Sequence, residues 1–204
     1  MNRDRILQEA LDLVDQEGLE ALTMRALGAR LGVAGMALYH HLPSKDQLLD
    51  GLMEVLLGAV EIPEEGPWKT RLRRAAESYR RVALTHPKAF LLVLTRPYQT
   101  ATLLRFCDRL LQIFLEAGFA PAEATRAFRL LGHFLDGATL YISQGPASSF
   151  APPPAPVDPE HFPALAACRP HLARAHAEGH FQVGLDRLLA DLERQLRESR
   201  TAKG

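Results

Sequence analysis

Apolar residues recur at three- and four-residue spacing in block after block of this chain, a pattern that predicts an all-α protein. Ile6, Leu7, Ala10, Leu11 and Val14 mark a first helix from about Arg3 to Glu17, ended by Gly18. Met24, Leu27 and Leu31 predict a second, short helix, with Thr23 placed to cap its first turn. Gly28 sits where a side chain would hold off a crossing helix, and Gly32 follows the last apolar residue, where glycine can take positive φ. Val33 fills the corner, and a third helix from Ala34 to His41 turns Leu38 and Leu42 inward. Ser44 and Gln47 read as a capping box opening a fourth helix, apolar at Leu48, Leu49, Leu52, Val55, Leu56 and Val60, as far as Glu61.

Ile62 to Pro67 interrupts the helical pattern. Trp68 to Thr85 resumes it and is strongly basic, with Lys69, Arg71, Arg73, Arg74, Arg80 and Arg81 read as a face pairing with acidic helices. A short helix, Lys88 to Thr95, follows His86-Pro87, and a longer one runs from Thr100 to Ala117 before Gly118. The helix from Pro121 to Ser143 is apolar over much of its circumference, which calls for two buried faces. Residues 145–159 carry six prolines and predict an extended loop. Asp158-Pro159 reads as the start of a helix to Ala167, and Pro170 as the start of another ending at Gly179. Phe181, Val183, Leu185, Leu188, Leu189, Leu192 and Leu196 define the last helix, to about Arg197.

Composition narrows the function. The chain has no apolar run near the ~20 residues of a membrane span, and MNRDRILQEA lacks a signal-peptide core, so a cytoplasmic protein without a membrane partner is expected. Cys107 and Cys168 make no disulfide framework and read as idle thiols. Net charge is zero, and residues 1–50 hold five Arg/Lys against eight Asp/Glu, leaving −3 with His neutral. A broad positive field is excluded there, so DNA binding would rest on a few placed cations and polar contacts.

Two short helices joined by a Gly-hydrophobe turn, with a small residue inside the first, follow helix-turn-helix grammar. The run LTMRALGARLGVAGMALYHHLPSKDQLLDGL resembles the DNA-binding head of the tetracycline-repressor (TetR) family, most tellingly through Leu38, Tyr39, His41 and Lys45. FQVGLDRLLADLERQL resembles the final helix of TetR-type bodies. The resemblance implies a three-helix DNA-binding head over residues 1–47 and a helical ligand-binding and dimerisation body over 48–204, connected by helix 44–61. It further implies a homodimer through helices 121–143 and 181–197, a double-stranded operator as partner, and a small-molecule effector.

Position by position, the resemblance assigns DNA contact to Thr23, Arg25, Gly35, Met36, Ala37, Tyr39, His41 and Lys45. Thr23, Tyr39, His41 and Lys45 suit phosphate, while Arg25 could take guanine O6 and N7 or phosphate. The chain departs from the tetracycline repressor at Gly35-Met36-Ala37, small or apolar where that protein has a polar residue, proline and threonine. Met36 and Ala37 suit thymine methyl groups, so a different operator is expected.

For the body, the resemblance implies a pocket lined by Tyr79, His86, Phe90, Phe106, Leu110, Leu131, Phe134 and Tyr141, with Leu84 and Leu94 beside them and His133 and Asp136 as polar contacts. The effector is expected to be small and mostly apolar, and not tetracycline; His86 stands as the counterpart of a magnesium-holding histidine. His176 with His180, and Cys168 with His171, have chelating spacing, but Pro170 and Gly179 interrupt the helix they need, so neither metal nor cofactor is expected. The chain carries no phosphate loop, nucleophile elbow or paired-carboxylate motif, which argues against an enzyme. The reading is a ligand-responsive repressor; the alternative is a DNA-targeted interaction factor or activator without a small-molecule ligand.

Overall fold

A computed structural model describes residues 2–96, 100–144, 157–171 and 177–201, the side chains of 141–144 and 177–178 lying outside that description. Among the described residues every regular element is a helix. Helices α1 (Arg3–Glu17), α2 (Met24–Leu31) and α3 (Gly35–Leu38) form the head, and α4 (Lys45–Gly58) leads out of it. The body comprises α5 (Trp68–Thr85), α6 (Leu91–Thr95), α7 (Ala101–Ala117), α8 (Pro121–Gln144), α9 (Pro163–Cys168) and α10 (Ala177–Thr201).

Most ends follow local chemistry. Gly18, at φ 93°, returns its N–H to Val14 O at 2.7 Å and stops α1. Ser44 Oγ accepts the Gln47 N–H at 3.1 Å to start α4, and Thr100 Oγ1 accepts from Leu103 at 3.3 Å to start α7. One hydrophobic core then runs from Ile6, Leu27, Leu38 and Leu48 in the head through Leu52 and Leu56 of α4 to Phe90, Phe114 and Leu189 in the body. Each fully buried leucine contributes about 1.5–3 kcal/mol, so α4 is held by apolar contact on both sides.

Several elements differ from expectation. α3 ends at Leu38, and Tyr39 to His41 form a turn in which the His41 and Leu42 N–H groups both reach Leu38 O at 2.9 Å. Pro43 explains the stop, since its ring disfavours helical geometry at the preceding residue. α6 starts at Leu91 because Pro87 to Phe90 are spent in turns. Asp158-Pro159 opens no helix; Asp158 instead accepts the Glu160 N–H and the His161 ring at 2.9 and 2.6 Å, contacts that hold its carboxyl below the usual range. α9 therefore begins at Pro163. Gly179 lies inside α10 rather than at a helix end, despite the ~1 kcal/mol propensity cost of a helical glycine. Residues 145–156 of the proline-rich stretch lie outside the described residues, as do 172–176.

The basic face of α5 is spent within the body. Lys69 pairs with Glu193 at 2.9 Å, Arg71 with Glu116 at 2.5 Å, and Arg73 with Asp186. Arg80 is buried, its guanidinium 4.8 Å from the centre of the Phe181 ring. Leu84, expected to face inward, is 46% exposed on the outer side of the same helix.

Candidate functional site

The head presents its chemistry from a crossing that only glycine permits. A Cβ on Gly28 would lie 2.8 Å from Val33 O, and one on Gly35 would lie 2.9 Å from Met24 O. With neither present, α2 and α3 meet backbone to backbone, and Gly32 at φ 69° makes the turn between them. Leu38 and Leu42 anchor the turn from below, each at most 1% exposed. What remains outside is polar: Arg25, Tyr39, His40, His41 and Lys45 are all exposed, and Met36 stands out at 74%.

The eight sequence-assigned residues thus divide. Arg25, Met36, Tyr39, His41 and Lys45 are each exposed, and Ala37 is half-buried. Gly35 has no side chain to offer and is explained by the close approach to α2. Thr23 is exposed, but its hydroxyl oxygen already accepts the Ala26 N–H at 3.1 Å. His40 was passed over in the sequence; its signal was membership of an unbroken Tyr-His-His run on a polar turn.

Electrostatics sort the acidic head. Arg30 takes Glu9 at 2.6 Å and Glu17 at 3.6 Å. Asp15 takes His86, and Asp46 and Asp50 take Arg96 at 3.3 and 3.1 Å, so three carboxylates are turned toward His86 and Arg96. Arg25 and Lys45 enter no ion pair among the described residues. The formal −3 therefore does not describe the charge facing outward around the Tyr39–His41 turn.

The sensing residues divide more sharply. Tyr79, on α5, meets Phe90 edge-on at 4.9 Å and Phe106 in a stacked arrangement at 6.2 Å. Its hydroxyl donates to Asp136 Oδ1 of α8 at 2.9 Å. Burial pushes the Asp136 carboxyl above its ordinary range, with the Tyr79 hydrogen bond and His133 pulling partly back. Leu110 and Leu131 are buried in the surrounding core and Leu94 is half-buried, while His133 is exposed. Phe134 belongs elsewhere: it stacks on Phe181 of α10 at 5.4 Å, over Gly184, where a Cβ would strike its ring. The Tyr141 side chain lies outside the described residues.

His86 is placed away from these aromatics. Its Nδ1 donates to Asp15 Oδ2 of α1 at 2.6 Å, with both side chains 24% exposed. The residue proposed from sequence as a pocket ligand instead joins the body to the head. Among the described residues no His/Cys/Asp/Glu group is arranged to hold a metal ion; His176 is outside them. No helix is long and apolar enough to cross a membrane, again among the described residues.

Two family models match the chain. Residues 6–52 match the family model described as bacterial regulatory proteins, tetR family, and residues 62–196 match the tetracyclin repressor-like C-terminal domain. An HTH-type transcriptional regulator of Saccharopolyspora erythraea is 32% identical over 139 residues, covering 67% of this chain and 59% of that protein. The class D tetracycline repressor of Escherichia coli is 32% identical over 206 residues, covering 96% and 91%. ActR of Streptomyces coelicolor superposes with a TM-score of 0.80 in its apo form at 26% identity, 98% of each chain being covered. Its complex with actinorhodin superposes at 0.76, with 26% identity over 94% of this chain and 95% of that one. With its head and body each matched by a family model, the chain belongs to the tetracycline-repressor family of bacterial transcriptional regulators.

Proposed function

We propose that this chain is a ligand-responsive transcriptional repressor that binds a near-palindromic operator as a homodimer and is released by a small, mostly apolar effector. The observation that carries the reading is the recognition turn. Arg25, Met36, Tyr39, His41 and Lys45 are exposed together on a surface whose packing needs are already met by Leu38, Leu42 and the two glycines. Tyr39, His41 and Lys45 would hold phosphate, with Thr23 at the edge; Met36 and Ala37 would meet thymine methyls, and Arg25 a guanine or a phosphate. Residues 1–47 would act as the head and 48–204 as the body, with α4 carrying motion between them.

For the body, ActR and the tetracycline repressors supply the analogy of a ligand-binding partner domain. Tyr79, Phe90, Phe106, Leu110 and Leu131, with Asp136 as the polar contact, would bound the effector. This favours the ligand-responsive reading over an interaction factor without a ligand. The dimer would form through α8 and α10, where Leu130, Leu140 and Val183 are 45%, 41% and 49% exposed on faces turned away from the protomer's own core. Two such helices from each protomer make a four-helix interface.

The deciding experiment is selection of bound fragments from the source genome by purified full-length chain, followed by sequencing. One near-palindrome with half-sites about 10 bp apart is the expected result, and a site beside the chain's own gene identifies a local repressor. Recovery of no preferred site at moderate salt overturns the reading.

A further inference from the structure

The segment from His86 to Arg96 touches α1 at two places and α4 at a third. His86 Nδ1 donates to Asp15 Oδ2 of α1 at 2.6 Å, and Lys88 Nζ donates to the Gln16 carbonyl of the same helix at 2.7 Å. Ten residues beyond His86, Arg96 Nη2 reaches Asp46 and Asp50 of α4 at 3.3 and 3.1 Å. The link to α4 is exposed on one side, Asp46 being 80% exposed, and a solvated pair of this kind fixes little. The link to α1 differs. Asp15 Oδ1 is buried without a hydrogen-bond partner, so His86 supplies the carboxylate's side-chain support in the described structure.

A partly buried carboxylate, 24% exposed and held by one side-chain donor from the body, restricts geometry. If the donor goes, the charge is left partly desolvated, and the cheapest relief is for α1 to swing outward until water reaches Asp15. α1 carries the rest of the head with it, since Leu7, Leu11 and Val14 share a core with Leu27 and Leu38. We infer that His86 and Asp15 form a positioning pair that sets the angle of the head on the body and, through it, the separation at which a dimer presents its two recognition turns. Neither residue needs to touch DNA or effector for this. The consequence for DNA rests on the repressor reading; the head angle does not.

The test uses the full chain with both native cysteines replaced by serine and spin labels at Glu20→Cys on the head and Leu115→Cys on the body. Labelled chain is diluted with unlabelled chain so that one intramolecular distance is read by pulsed electron resonance. The parent is expected to give one narrow distance distribution. His86→Ala and Asp15→Ala, which remove the donor and the acceptor, are expected to broaden and shift it, while the exchanged pair Asp15→His/His86→Asp restores it. Unchanged distributions in both single variants overturn the inference, whatever happens to DNA binding. Should His86→Ala not fold, Asp15→Ala and His86→Leu carry the same test. A second readout uses the fragment recovered by genomic selection, with its half-site spacer lengthened or shortened by one base pair. The variants should change relative affinity among spacers by roughly 3- to 30-fold. An equal loss on every spacer marks a merely structural role and overturns the positioning claim. If no fragment is recovered, the repressor reading fails while the distance measurement still decides the pair.

Discussion

Tyr39 and Gly35 are four positions apart on one turn and serve opposite ends of the same problem. Tyr39, 39% exposed, has no packing duty that Leu38 and Leu42 do not already fill. Tyr39→Ala should therefore weaken operator binding about tenfold or more, the scale of a lost hydrogen bond to a charged oxygen, while the melting temperature stays that of the parent. Fluorescence anisotropy with labelled operator and a thermal melt measure the two. Gly35 was assigned to DNA contact by its place in the family motif, yet its α-carbon is pressed against α2, 2.9 Å separating a notional Cβ from Met24 O. Because the obstacle is backbone, Gly35→Ala should cost about 1–3 kcal/mol in denaturant unfolding. A variant as stable as the parent would show that α2 and α3 can part without penalty.

At the scale of elements, α5 organises the body by using each of its faces differently. One face carries Lys69 and Arg73 onto acids of α10, Arg71 reaches Glu116 of α7 from another, and Tyr79 turns onto Phe90 and Asp136. The helical spacing of the basic residues made their pairing with acidic helices readable in sequence; their individual partners lie too far along the chain to be. Asp136 gives this packing a pH signature. Burial raises its carboxyl above the ordinary 3.8, so the folded state keeps a proton that the unfolded chain has already released. In the window above 3.8 the folded state binds more protons, and stability falls as pH rises through it. Asp136→Asn removes that loss while keeping an acceptor for Tyr79. Its stability relative to the parent should rise with pH from about 4 upward, as denaturant melts at several pH values will report. A difference constant with pH would mean that the carboxylate stays solvated at no cost.

For the whole molecule, charge placement matters more than charge total. Residues 1–50 sum to −3, but Asp15, Asp46 and Asp50 face His86 and Arg96 and Arg30 absorbs Glu9 and Glu17, which leaves Arg25 of α2 and Lys45 of α4 exposed. Two such cations per head in a dimer release few counterions. The logarithm of operator affinity should thus fall with the logarithm of salt at a slope of roughly −4. A slope near −10 would reveal a wider basic surface than the recognition turn provides. The same economy makes sequence-nonspecific coating of DNA a poor use of this protein, because phosphate attraction alone would be weak at moderate salt.

What the sequence determined by itself was whatever short-range periodicity and capping control. Helices Arg3–Glu17 and Trp68–Thr85 end where their terminators stand, the turn at Gly32 is forced by a left-handed residue, and the family motif is contiguous. Two boundaries went astray: α10 runs through Gly179, and Asp158 folds a local turn with Glu160 and His161 instead of opening a helix. Among site residues, the exposed turn was legible because its apolar positions are accounted for within eight residues of sequence. The body was not, because an apolar stripe reports that a face is buried but not which helix covers it. Phe134 went to α10 and His86 to α1, partners 47 and 71 positions away, and only the folded chain brings such residues within contact. Contact between residues so far apart is set by how whole helices pack, a decision shared by the entire core.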